Sequence, residues 1–193
     1  MIDLSGITIG FAVTGSFCTF AEAFEQAKLL KKLGAELIPI MSENAYTTDT
    51  RFGAASENAG ILSGICGAEI IHTISGAEPL GPKKMADVML VCPCTGNTMA
   101  KLANSITDTP VTMAVKSHIR NNRPALLAIA TNDALAGSAK NIGVLMNLRN
   151  YFFVPLRQDD SEKKPTSVIS AFSKIPEAVE SALKGKQLQP VIF

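Results

Sequence analysis

Two short stretches hold the residue types that could do chemistry. The first is Gly10-x-x-x-Thr14-Gly15-Ser16-Phe17-Cys18-Thr19 and the second is Cys92-Pro93-Cys94-Thr95-Gly96-Asn97-Thr98. Each follows an apolar run and opens a segment of helical periodicity. A glycine at such a place permits a tight turn. Hydroxyls, together with the free N–H groups of a helix start, then offer donors to a phosphate or another anion. Neither stretch is a dinucleotide fingerprint, because Gly10 and Gly15 are wrongly spaced, and Ser16 stands where a P-loop requires lysine. The run Glu36–Met41 leads into Ser42 rather than the acidic residue that reads a dinucleotide's ribose. The pattern suits a mononucleotide better than NAD. Gly15 and Thr19 also fit a plain turn and helix cap, and the second stretch fits an ordinary strand-to-helix connection.

Other reactive side chains are few. The four cysteines are Cys18, Cys66, Cys92 and Cys94, and the two histidines are His72 and His118. Cys-Pro-Cys lacks thioredoxin spacing, and with so few histidines no metal site is expected. Cys18 and Cys94 sit at helix starts, where a thiol pKa falls. Small buried cysteines are also ordinary packing residues, and no histidine neighbours either one in sequence. Arg51 is a candidate anion contact, whereas Lys83-Lys84 and Arg120–Arg123 read as solvated faces. His72 reads as a partly buried strand histidine. No acid–base pair stands out, so no catalytic residue is assigned.

The elements that must position these loops alternate. Ile7–Val13, Glu36–Met41, Asp87–Val91 and Ala125–Ala130 are near-continuous apolar runs, the mark of parallel strands buried on both faces. Between them lie a helix through Phe20, Phe24, Ala27 and Leu30, a helix over Ala54–Ile65 with an extended Glu69–Ile74, and a helix over Thr98–Ala103. Thr19 with Glu22 fits a capping box, Gly34 fits a helix C′ position, and Asp108 fits a cap for a helix running towards His118. Ala134–Arg149 carries helical periodicity, and Phe152–Pro155 reads as a short strand. Residues 157–167 read as a flexible charged loop and 168–185 as the C-terminal helix. The expectation is a single α/β domain over 1–193: three layers, α/β/α, Rossmann-like, with a parallel sheet in flavodoxin-like order.

Composition excludes several classes. A formal net charge of +1 offers nothing to nucleic acid or an anionic membrane. No apolar run approaches the ~18 residues of a membrane span, and no secretory signal pattern is present, so a cytoplasmic protein with free thiols is expected. With 47% apolar and 18% charged residues, some apolar surface remains for subunit contacts.

Pro93–Asn104, PCTGNTMAKLAN, resembles the P-A-S-A-N-T-x-A-K-x-A-x-G segment of the homo-oligomeric flavin-containing cysteine decarboxylases. Asp108 fits the aspartate that follows it there. Val13–Ser16 resembles that family's T-G-S phosphate loop, and Ala130–Leu135 its P-x-M-N-x-x-M element. The correspondence runs from about Ile7 to Val154. It implies FMN bound between neighbouring subunits of a trimer, often assembled further into a dodecamer. Gly15, Ser16 and Thr19 would face the phosphate, and Ser42 the sugar–phosphate arm or ring edge. Pro93, Cys94, Thr95, Asn97 and Thr98 would line the opposite side, with Asn132 near the substrate's reacting group.

Two departures from that family's pattern bear on activity. Its decarboxylases carry a histidine before the strand that leads to this motif, whereas Glu78–Pro82 has none, and Thr131 replaces a methionine. Both argue against cysteine decarboxylation. Ser138–Gly143 and Asn150–Asp160 resemble instead a branch whose members form one subunit of a two-subunit oxidoreductase in spore formation. That resemblance implies a small dicarboxylate substrate, a dihydropyridine ring oxidised to a pyridine, and NAD(P) on the partner subunit. FMN-dependent decarboxylation of a cysteine conjugate, or a non-catalytic assembly role with a vestigial pocket, are the alternatives.

Overall fold

The computed structural model describes residues 2–193. Its core is a parallel sheet of β1 (Thr8–Val13), β2 (Glu36–Met41), β3 (Val88–Cys94), β4 (Ala125–Thr131) and β5 (Tyr151–Phe153). The order is β2-β1-β3-β4, with β5 parallel to the first half of β4. Side chains of a strand alternate between faces, so each strand feeds two layers. Phe11 and Val13 of β1, Leu90 and Cys92 of β3, and Leu126 and Ala128 of β4 point into one core. There they meet helices α1 (Phe20–Lys32), α3 (Ala55–Cys66) and α8 (Ile175–Leu183). Ala12, Met89, Val91, Cys94, Leu127 and Ile129 point the other way. They meet α4 (Ile74–Ala77), α5 (Gly96–Ala103), α6 (Pro110–Ile119) and α7 (Ala139–Asn147). The fold is thus one α/β domain with helices on both faces of a mostly parallel sheet, as the alternation of runs predicts.

The largest departure from the sequence reading is at residues 157–167. They form no loop but most of an antiparallel hairpin, β6 (Leu156–Asp160) and β7 (Lys164–Ser170). Asp160 Oδ1 accepts the N–H groups of Glu162 (3.1 Å) and Lys163 (2.9 Å), which closes the turn. β7 pairs antiparallel with Ala130 and Thr131, just beyond the reach of β5, and so covers the last open edge of β4. Arg157, Asp159 and Lys164 are exposed strand positions and Glu162 and Lys163 sit in the turn, while Leu156, Val168 and Ser170 face inward. The helix expected over 168–185 therefore starts only at Ile175, where Pro176 occupies its first turn.

Smaller boundaries shift for local reasons. Ala134–Arg149 is not one helix, because the carboxylate of Asp133 holds 133–138 in turns and α7 runs only from Ala139 to Asn147. Thr109, not Asp108, caps α6, in a reciprocal capping box with Thr112. Asp108 pairs instead with Lys101 at 2.8 Å. Thr19 makes no side-chain cap; its hydroxyl donates to the Ser16 carbonyl at 2.8 Å. Gly34 follows α1 at φ +96°, where only glycine is unstrained. Among the described residues no helix is long and apolar enough to cross a membrane.

Candidate functional site

Three strand ends meet at one edge of the sheet, and buried hydroxyls tie them together. Thr14, just past β1, is 1% exposed. Its Oγ1 donates to the Pro93 carbonyl at 2.8 Å and accepts the Thr95 N–H at 3.0 Å. The Ser42 N–H donates to the Val13 carbonyl at 3.0 Å, which brings in the end of β2. Ser42 then caps the short helix α2 (Glu43–Thr47), its Oγ accepting from the Ala45 N–H at 3.3 Å.

The turn after Thr14 closes on itself through Ser16 N–H to Thr14 O (2.7 Å) and Thr19 N–H to Ser16 O (3.0 Å). The N–H groups of Gly15, Phe17 and Cys18 and the Ser16 hydroxyl are left without an acceptor or donor among the described residues. No carboxylate stands between Gly15 and Thr19. Such a donor set suits a phosphate. Across the crevice, Thr95 Oγ1 caps α5 by accepting the Thr98 N–H at 3.2 Å and bonds the Thr98 hydroxyl at 3.0 Å. Gly96 has no room for a side chain: a Cβ there would lie 2.7 Å from Ser138 Oγ and 2.9 Å from Asp133 Oδ1.

The expected site residues fall into two adjoining cavities that share Gly15 and Thr95. The first, of about 240 Å³, holds Ser16, Thr19 and Asn132. The second, of about 370 Å³, holds Ser42, Asn97 and Thr98. Two expected members lie beneath the crevice instead. Pro93 is buried with its carbonyl taken by Thr14, and Cys94 is fully buried in the α5–α6 core. The pairing of β3 with β4 shifts register between Val91 and Cys94, and the Cys94 side chain ends on the core face. Burial also pushes its thiol pKa well above the usual range, so it is no nucleophile. Cys18 is exposed and lines the first cavity.

Sequence reasoning missed one wall of the first cavity altogether. The hairpin brings Asp159, Lys164 and Ser167 to it, opposite Ser16 and Thr19. Lys164 Nζ lies 2.9 Å from Asp159 Oδ2, and Ser167 Oγ lies 3.3 Å from both Asp159 Oδ2 and Asn132 Oδ1. The ammonium beside it holds the Asp159 carboxyl below its usual pKa. The only sequence signal was the charge run itself, which reads equally as a loop.

His72 is also placed differently from expectation. It is exposed rather than partly buried, and its ring stacks on Tyr46 with centroids 4.0 Å apart and planes 4° from parallel. The pair lines a third cavity of about 780 Å³, which shares Glu43 and Asp108 with the second. Arg51 is exposed with its guanidinium 4.8 Å above the Phe52 ring, and lines none of the three cavities. Arg123 is structural, bonding the Lys84 and Ala86 carbonyls and Asp87. Among the described residues no group of three or more His, Cys, Asp or Glu side chains is placed to hold a metal ion.

The chain is 46% identical over 192 residues to the B subunit of dipicolinate synthase from Bacillus subtilis (strain 168), covering 100% of this chain and 96% of that protein. Among solved structures, the B subunit of dipicolinate synthase from Bacillus halodurans superposes with a TM-score of 0.91 at 40% identity, covering 100% of this chain and 98% of that one. A dodecameric FMN-dependent UbiX-like decarboxylase from Escherichia coli O157:H7 shares the fold, with a TM-score of 0.64 at 19% identity over 77% of this chain and 80% of that one. A profile of the Flavoprotein family matches residues 2–180, the stretch that carries the strand-end loops, both cavities and the hairpin. The chain belongs to the Flavoprotein family.

Proposed function

We propose that this chain binds FMN in the paired cavities and acts as the B subunit of a dipicolinate synthase. With a separate A subunit it oxidises dihydrodipicolinate to dipicolinate in the cytosol of a spore-forming cell. The observation that carries the flavin reading is the set of unpartnered donors at Gly15–Cys18, facing Thr95–Thr98 across a cleft held by Thr14. The choice of reaction draws on likeness to two dipicolinate synthase B subunits over nearly their whole lengths.

Gly15, Ser16 and Thr19 would hold the phosphate, and Ser42, Thr95, Asn97 and Thr98 the remainder of the cofactor. A bound flavin would supply a hydride acceptor for a ring that loses two hydrogens on becoming aromatic. The chain's own residues orient the ring and meet its carboxylates. The cavities are open in a single chain, which fits a homo-oligomer in which a neighbouring copy closes them; a trimer or dodecamer is the expected assembly. NAD(P) belongs to the A subunit in this reading.

The test is an absorbance spectrum and an FMN titration of the purified chain, alone and with the A subunit, followed by dipicolinate formation. Stoichiometric flavin and product only with both subunits are expected. A colourless chain that takes up no FMN yet activates the A subunit would instead make it an assembly subunit. The position of His72 favours a second reading. An accessible imidazole on the wall of a neighbouring cavity is what decarboxylation of a cysteine conjugate would use as acid or base. Turnover of such a conjugate by the chain alone would establish it.

A further inference from the structure

The wall formed by the hairpin is charged, and its geometry points to a ligand. Among the described residues Lys164 is the one cation lining the first cavity. The Asp159 carboxylate draws it across the hairpin at 2.9 Å, and Ser167 Oγ braces the same oxygen at 3.3 Å. Ser167 in turn reaches Asn132 Oδ1 at 3.3 Å, and Thr166 Oγ1 donates to the Asn132 carbonyl at 2.6 Å. A chain of bonds thus links the ammonium on the cavity wall to the end of β4.

The Lys164–Asp159 pair is itself exposed, 54% and 33% by side chain. An ammonium carries three N–H donors and Asp159 takes one of them, so a ligand carboxylate can bond Lys164 beside Asp159, which stays in place to position it. The facing turn, Gly15–Cys18, offers N–H and hydroxyl donors that serve a phosphate without a cation. An anion on the hairpin side needs the ammonium.

We propose that Lys164 recognises a carboxylate of a small planar dicarboxylate substrate, with Asp159 and Ser167 as its positioning residues. The inference deepens the flavin-dependent reading above and rests on it for the identity of the substrate. The hairpin is then a specificity element rather than a passive cover.

The experiment measures two affinities on the full-length chain, for FMN and for dipicolinate, the stable product. It compares wild type with Lys164→Met and Lys164→Arg. The expected result is FMN affinity within about twofold in all three. Dipicolinate binding should be at least about tenfold weaker in Lys164→Met, with a flatter salt dependence, and restored in Lys164→Arg. With the A subunit present, Lys164→Met should raise KM and leave kcat near wild type. Equal dipicolinate affinity in wild type and Lys164→Met overturns the proposal. So does a loss of FMN affinity in place of dipicolinate affinity, since the ammonium would then serve the phosphate. If the wild-type chain takes up no FMN, the flavin reading fails, and the dipicolinate titrations on the unloaded chain still decide the role of Lys164.

Discussion

Thr14 and Pro93, 79 residues apart, are joined by a 2.8 Å bond from the Thr14 hydroxyl to the Pro93 carbonyl. The same hydroxyl accepts the Thr95 N–H, so one buried side chain sets the distance between the two loops of the cleft. Thr14→Val keeps the shape and strands the Thr95 N–H, while the Pro93 carbonyl keeps only the Thr14 backbone N–H at 3.3 Å. The expected cost is about 1–3 kcal/mol in urea unfolding. FMN affinity should fall together with stability, as measured by flavin fluorescence titration.

Ser16 and Asn97 lie in different cavities but on the same proposed cofactor. Ser16→Ala and Asn97→Ala should each weaken FMN binding by about tenfold while leaving the unfolding midpoint almost unchanged, since neither side chain bonds the protein. Unchanged affinity in both variants would remove the cofactor from these cavities.

Gly96 is set by close approach rather than by backbone conformation. A Cβ would press on Ser138 Oγ and Asp133 Oδ1, so Gly96→Ala should destabilise by about 1–3 kcal/mol. The double variant Gly96→Ala, Ser138→Ala removes the nearest obstacle and should recover part of that loss. Paired denaturation curves measure the coupling.

His118 is buried, with Nε2 3.1 Å from the Pro124 carbonyl, and burial lowers its pKa to about 4. Below the unfolded-state value near 6.5 the unfolded chain binds a proton that the fold resists. Stability should therefore be independent of this group above pH 6.5. It should fall as pH drops from 6.5 towards 4 and level off below, a loss on the order of 3 kcal/mol. The difference between wild type and His118→Gln across that window isolates the group.

Cys18 is the exposed thiol, while Cys66, Cys92 and Cys94 are buried. Burial pushes the Cys66 pKa up to about 12 and raises those of Cys92 and Cys94 as well. A thiol reagent should label one cysteine per native chain rapidly, and Cys18→Ser should abolish that phase. Because Cys18 lines the first cavity, bound ligand should slow the labelling.

Much of the fold was legible because parallel strands buried on both faces must be almost wholly apolar. β1 to β4 announce themselves in ITIGFAV, ELIPIM, DVMLV and ALLAIA. The loops that follow them were legible too, since small and hydroxyl residues after an apolar run mark a turn and a helix start. The hairpin was not. β6 is the outer strand and exposes Arg157, Gln158 and Asp159, and β7 begins with exposed Lys164 and Pro165, so the hairpin looks like a charged loop. Nor could sequence show that Asp133 keeps 133–138 out of α7, for its partners Thr131 and Ser138 act only once the turn has formed.

By itself, then, the sequence determined the layers and the two loops of the cleft, because apolar periodicity and turn chemistry are local properties of the chain. Tertiary structure alone decided which side chains face the crevice. Cys94 turned into the core, His72 came out to stack on Tyr46, and Lys164 arrived from a hairpin that pairs with a strand more than thirty residues before it. Those placements depend on register and long-range pairing, which are settled only when distant segments pack against one another.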